Sequence, residues 1–325
     1  DNREADVTNE YTGRMFLDAQ PEQLEWLRLR ASVLHAERRY ENYDALNNVG
    51  VIGYPPAGAG FVQNPLLRKF DMADRNRTRV DASAELSFES GLTITPSGSW
   101  RNDQYGDNLA NGGDLGLKDE TYWNAGVEAS MPIGEVATVS IAYLHEGFDR
   151  AIVNRQRGGG GSSGIACPNA DTIGSSICNW GSEIEDNIDT IDGSGNVQLM
   201  PGVLELNLGA VFSRTTNATS TYSLGSALVV SDPQFPDVTN TFERYEATLK
   251  YTVGQETAQR LGWNGDLTLE LGYAFERNRM SNWATANMAP YMIALDAGAS
   301  RSLFLDALNP NYTANIVSLR MGLKW

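Results

Sequence analysis

The chain has 325 residues, with 25 Lys+Arg against 41 Asp+Glu and a formal net charge of −16. A chain this acidic lacks the basic footprint that nucleic-acid binding requires, so nucleic acid is excluded as a partner. No run of 18 or more apolar residues occurs, which excludes a membrane-spanning helix but not a barrel, whose strands show lipid only at every second residue.

Alternation with period two runs through the chain and predicts eleven strands, near residues 5–17, 24–42, 74–88, 91–103, 120–131, 136–154, 184–198, 203–217, 241–254, 265–279 and 313–325. Residues i, i+2 and i+4 of a strand share one face. In the third segment Val80, Ala82, Ala84, Leu86 and Phe88 oppose Arg79, Asp81, Ser83, Glu85 and Ser87. In the fifth, Trp123, Ala125, Val127, Ala129 and Met131 oppose Asn124, Gly126, Glu128 and Ser130. The eighth sets Leu204, Leu206, Leu208, Ala210 and Phe212 against Glu205, Asn207, Gly209 and Val211. The ninth sets Tyr245, Ala247, Leu249, Tyr251 and Val253 against Arg244, Glu246, Thr248, Lys250 and Thr252. In the tenth, Leu267, Leu269, Leu271, Tyr273 and Phe275 oppose Asp266, Thr268, Glu270, Gly272, Ala274 and Glu276. A helix would scatter these apolar residues around its cylinder. Each segment is long enough for the roughly 9–11 residues with which a tilted strand crosses a bilayer.

The connections alternate in length. DAQPEQ, FESG, MPIGE, LMPG and the longer GQETAQRLGWNG are short and carry turn chemistry, whereas 43–73, 104–119, 155–183, 218–240 and 280–312 are long. Short turns at one end and long loops at the other are the periplasmic and extracellular ends of an outer-membrane barrel. The chain ends on NIVSLRMGLKW, with Val317, Leu319, Met321, Leu323 and Trp325 on one face, and this terminal aromatic strand resembles an outer-membrane assembly signal. The fold class is therefore all-β, an antiparallel transmembrane outer-membrane β-barrel of about eleven strands, and the localisation is the bacterial outer membrane.

Bacterial single-chain barrels use even strand numbers with both ends in the periplasm. Eleven strands counted back from a periplasmic C-terminus place the start of the chain outside the cell. Either a twelfth strand escapes the pattern or further strands precede residue 1. The opening DNREADVTNE has no signal-peptide character, which implies a mature or truncated start.

The polar faces carry both charge signs: Arg28, Arg30, Arg79, Asp81, Glu85 and Glu128, then Glu205, Arg244, Glu246, Lys250, Glu270 and Arg320. An Arg or Lys at the lipid midplane costs about 2–4 kcal/mol, so these residues are expected to line a wet lumen. Two alternatives stand, a water-filled pore with salt-bridged walls and a polar sleeve around a protein plug.

Chemistry of other kinds is poorly supported. The two histidines, His35 and His145, are far apart. No C-x-x-C-H occurs, so the chain cannot attach a c-type haem itself. Gly160, Ser162 and Gly164 match G-x-S-x-G but lack the strand-to-helix context of a nucleophile elbow. Glu183, Glu185, Asp186, Asp189 and Asp192 do not have calcium-loop spacing and read as a solvated strand end. No catalytic, cofactor or metal residue is assigned, and an enzyme is not expected. Cys167 and Cys178, in a Gly/Ser-rich stretch, suit a loop disulfide in an oxidising compartment; two unpaired thiols are the alternative.

Three segments carry a resemblance. NPLLRKFDMADRNRTRV (64–80), the hairpins SGSWRNDQYGDN…LGLKDETYWNAGVEASM and SIAYLHEGF, and NPNYTANIVSLRMGLKW (309–325) resemble the MtrB/PioB family of outer-membrane barrels. The resemblance covers most of the chain, with the cysteine-containing loop the least familiar part. It implies a single barrel domain over 1–325 that forms the C-terminal part of a larger barrel. It also implies a porin–cytochrome complex for extracellular electron transfer. In that arrangement the barrel sheathes a periplasmic multihaem c-type cytochrome, often decahaem, which passes electrons to or from minerals, metals or an extracellular multihaem cytochrome. The haem belongs to the partner and this chain carries no cofactor. The competing expectation is a porin or plugged transporter for solutes, with no cytochrome; an outer-membrane enzyme is a third reading.

Overall fold

The computed structural model describes residues 7–41, 67–68, 73–106, 115–155, 179–223, 235–260, 262–263, 265–283, 291–292, 302–303 and 311–324. In chain order the elements are β1 (Val7–Ala19), β2 (Leu27–Glu41), β3 (Leu67–Arg68), β4 (Arg75–Ser87), β5 (Thr93–Tyr105), β6 (Leu115–Ile133) and β7 (Ala137–Arg155). They continue with β8 (Asn179–Met200), β9 (Leu204–Ser223), β10 (Val238–Val253), α1 (Gln255–Arg260), β11 (Asp266–Ser281), β12 (Tyr291–Met292), β13 (Ser302–Leu303) and β14 (Tyr312–Lys324).

All eleven expected strands are present, and each pairs antiparallel with its neighbour in the order β1-β2-β4-β5-β6-β7-β8-β9-β10-β11-β14. The two-residue β3 adds in parallel to β6, and β12 pairs with β13 apart from the main sheet. The sheet does not close: among the described residues β1 pairs only with β2 and β14 only with β11. The turns are where the short connections were expected. Gly134 (φ 60) and Gly202 (φ 71) take the left-handed conformation that β-branched and bulky residues avoid. The connection between β10 and β11 folds into α1, which was not foreseen.

The registers put all the expected apolar faces on one side of the sheet. Leu249, Leu271 and Leu319 stand in one row across β10, β11 and β14, and Leu206, Val197 and Ala137 carry that row on through β9, β8 and β7. These side chains have no protein to pack against: Leu319 is 78% exposed and Leu271 53%. Leu267 is an exception. It lies on the same face but is buried with Val253 and Ala258, against Trp263, because α1 folds back over the foot of β10 and β11.

The apolar band drifts along the register. On β11 it spans Leu267 to Phe275. The row that contains Phe275 is the upper edge there, yet it becomes the lower edge at Leu86 and Leu27, and on β4 and β5 the band climbs to Val80 and Trp100. Rows run perpendicular to strands and a bilayer is level, so this drift means tilted strands, as closure into a barrel requires.

Two glycines on the apolar side have aromatic covers. A Cβ at Gly147 would collide with the Trp123 indole, and one at Gly181 with the Tyr222 ring. The rings fill the side-chain space that glycine leaves open in the sheet.

Candidate functional site: the polar wall

The opposite side of the sheet is a continuous polar wall. The registers place every residue assigned to it from the sequence on this one face: Arg79, Asp81, Glu85, Glu128, Glu205, Arg244, Glu246, Lys250, Glu270 and Arg320. Glu205, Lys250, Glu270 and Arg320 form a single row of alternating sign across four strands. Arg244 reaches Glu246 at 2.9 Å and Glu276 at 3.1 Å, and Arg79 holds Asp81 at 2.8 Å. Arg28 makes a two-pronged contact with Asp18, at 2.8 and 2.7 Å, while Arg30 lies 3.7 Å from Glu85.

The most densely connected part of the wall was not singled out from the sequence. Arg77 grips the fully buried Asp103 through two hydrogen bonds of 2.6 Å. Arg101 stands 3.4 Å from Asp103 and 2.5 Å from Glu120, and Arg150 lies 3.6 Å from Glu120. Arg101 also sits over the rings of Tyr122 and Phe148, at 5.6 and 5.9 Å, and the Tyr122 hydroxyl donates to Glu146. The legible signal was the i, i+2 spacing of Arg77 with Arg79 and of Arg101 with Asp103, which gives each pair one face.

At mid-height two rows of the wall carry small residues along part of their length. Ser83, Ser97 and Gly126 share one row, and Ser130, Ser140, Ser194 and Gly209 share another. Over the first of these a hollow of about 790 Å³ opens, lined by Arg14, Phe16, Arg30, Arg79 and Asp81 above a floor of serines.

The remaining residues considered from the sequence do not assemble into a site. His35 and His145 both fall on the apolar side but are separated by β4, β5 and β6. His145 and Tyr143 each hydrogen-bond Asp189, at 2.8 and 2.6 Å. The acidic stretch divides by parity: Asp186 and Asp192 join the polar wall, while Glu183, Glu185 and Asp189 face the other way. Beyond the apolar band, where β6 to β9 project outward, Glu183 and Glu185 join Asp119 and Asp149 around a smaller hollow. Burial there raises the Asp119 carboxyl above the ordinary range, and the charges of Glu183 and Asp149 add to it. Burial and Glu185 do the same to Asp149. Among the described residues no group of three His, Cys, Asp or Glu is arranged to hold a metal ion. Cys167, Cys178, Gly160, Ser162 and Gly164 lie outside the described residues.

An antiparallel sheet with one lipid-like and one charged face is the wall of an outer-membrane barrel, and the whole sequence, residues 1–325, matches the outer-membrane β-barrel porin family MtrB/PioB. The chain belongs to the MtrB/PioB family. Among curated proteins, none matches the sequence. Solved structures with the same strand arrangement include BauA, the ferric preacinetobactin receptor from Acinetobacter baumannii, at TM-score 0.52 and 10% identity over 98% of this chain and 44% of that one. The copper transporter OprC matches at TM-score 0.54 and 10% identity, over 97% and 40% of the two chains. The ferric citrate transporter FecA matches at 0.52 and 10%, over 98% and 39%. This chain thus spans well under half the length of those structures, and at such identity the likeness is one of fold. The MtrB/PioB chain is an outer-membrane porin-type barrel, placed in that membrane by its family and its fold.

Proposed function

We propose that the polar wall lines the lumen of a sheath around a periplasmic multihaem c-type cytochrome, and that the complex carries electrons across the outer membrane. The observation that supports this most is the pairing of a mid-height wall of serine and glycine with charged rows that span the sheet. A small barrel fills its interior with its own side chains. Along the serine and glycine stretches the wall withdraws its bulk and leaves room, while the charged rows offer a protein partner many polar contacts. The barrel itself needs no redox group. It supplies an insulated passage, and the haem comes with the partner; a second multihaem cytochrome at the extracellular mouth fits the same scheme.

The test is purification of the full-length protein from its native host in mild detergent. A haem-staining partner of c type, retained in near-equal amount through size exclusion, is the expected result. A haem-free barrel that conducts small ions in a planar bilayer would overturn the proposal and favour a solute porin.

A further inference from the structure

The charges of the polar wall are not evenly mixed. On β1, β2, β4 and β5 cations prevail: Arg14, Arg28, Arg30, Arg77, Arg79 and Arg101 share the face, joined by Arg38 and Arg75. The acids of that sector are Glu10, Asp18, Asp81, Glu85 and Asp103, which leaves it three positive charges in excess, eight against five. From β6 onward the balance reverses. Glu120, Glu128, Glu146, Asp186, Asp192 and Glu205 are followed by Glu246, Glu270 and Glu276. Against these nine acids stand Arg150, Arg244, Lys250 and Arg320, four cations, so the described side chains placed on this face by the register leave the sector five negative charges in excess.

Part of the excess is carried by groups that form no ion pair among the described residues. Among the described residues no Lys or Arg lies within ion-pair distance of Glu128, Asp192 or Glu205, although Glu205 accepts hydrogen bonds from the side-chain amides of Asn196, Gln198 and Asn207. Glu128 and Asp192 occupy one row, on either side of Ala142. In the basic sector Arg14 donates to Ser32 Oγ at 3.2 Å and meets no carboxylate among the described residues. It borders the hollow of about 790 Å³.

We infer that this lateral polarity sets the rotational orientation of the protein in the lumen. The partner presents a basic strip to the β6–β14 sector and an acidic strip to the β1–β5 sector, with an acidic side chain entering the hollow beside Arg14. A wall of evenly mixed charges would accept many rotations. A wall split into two sectors penalises every orientation that sets like charges together, and such juxtaposition costs several kcal/mol. For an electron carrier, fixed rotation also fixes which part of the partner emerges at each mouth. The inference rests on the sheath reading.

The experiment uses the full-length barrel produced with its cytochrome in the native host. Glu128→Lys with Asp192→Lys reverses the acidic sector at two positions that have no ion pair to break among the described residues. Glu128→Gln with Asp192→Asn removes charge alone, and Arg14→Glu reverses the basic sector. Heat-modifiable gel migration confirms barrel closure in each, and the readout is haem per barrel after washing at low and at high salt. The expected result is at least about a tenfold loss of haem in both reversal variants, a smaller loss in the Gln/Asn variant, and salt-sensitive retention in the wild type. Closed barrels in which the Lys variants hold as much haem as the wild type overturn this inference and leave the sheath reading standing. A wild-type barrel without haem overturns both.

Discussion

Removing the Asp103 carboxylate should be among the most damaging single changes in the wall. Asp103 is fully buried and takes both prongs of Arg77 at 2.6 Å, with Arg101 a further 3.4 Å away. In Asp103→Ala two guanidinium groups face each other with their shared anion gone. Breaking a buried pair in this way costs about 3–5 kcal/mol, because a desolvated charge is left uncompensated. The Arg77 and Arg101 side chains keep 27% and 23% of their exposure, and Arg101 retains Glu120. Partial solvation puts the expected loss at the lower end, about 3 kcal/mol, or more than a hundredfold in the folding equilibrium. Heat-modifiable migration of the full-length barrel along a urea series measures it. Asp103→Leu with Arg77→Leu should recover most of the loss, since removing both partners leaves no orphan charge. A loss below about 1 kcal/mol, the value of an exposed pair, or a double variant no better than the single one, would refute the reasoning.

The two faces of the paired strands β10 and β11 can be told apart by one residue type. Leu271→Arg, in the middle of the apolar band, should cost about 2–4 kcal/mol in the same assay, whereas Arg at Thr248 on the polar side should cost far less; equal losses would mean the register is wrong. Gly147→Val drives a side chain into the Trp123 indole and should cost about 1–3 kcal/mol, with Trp123 fluorescence shifting as the ring is displaced. In the projecting part of β6 the raised Asp119 carboxyl means that its ionised form opposes folding. That opposition is present above the folded-state pKa and vanishes as the pH falls below the ordinary carboxylate value. Asp119→Asn should therefore slow proteolysis of the outer loops at neutral pH and change nothing in acid; an equal effect at both pH values would argue against a charge origin.

Period-two alternation made the strands legible because each residue type has only two faces to choose from. Leu267 to Phe275 and Val317 to Leu323 therefore read correctly by eye. The pairing order was equally accessible, since short turns force neighbours in sequence to be neighbours in the sheet. The Arg77–Asp103–Arg101–Glu120 chain was harder. Its members come from β4, β5 and β6, and which side chains meet depends on register, which the turn residues alone do not settle. The drift of the apolar band and the split of the wall into charge sectors are hidden for the same reason. Both are properties of rows, and a row takes one or two residues from each of many distant segments. The helix α1 was missed because GQETAQR is too short for a helical period to show, and with it the burial of Leu267.

The edges of the sheet connect the membrane to the lumen. β1 and β14 each use one side of their backbone for pairing, and the other side is open among the described residues. In hydrocarbon each unpaired N–H or C=O costs several kcal/mol, so neither edge can persist there. Direct pairing of β1 with β14 would join two antiparallel edges, but both strands run in the same sense in an eleven-strand up-and-down order, so that seam would be parallel. An odd number of further strands between them would keep the pairing antiparallel and would widen the ring. The lumen radius grows with strand number, and a wider ring is what the serine and glycine rows of the wall are shaped to use. The same wall in a narrow ring would turn Glu128, Asp192 and Glu205 toward the arginines of the β1–β5 sector across the lumen. In a wide one those carboxylates stand free to meet the basic surface of a protein.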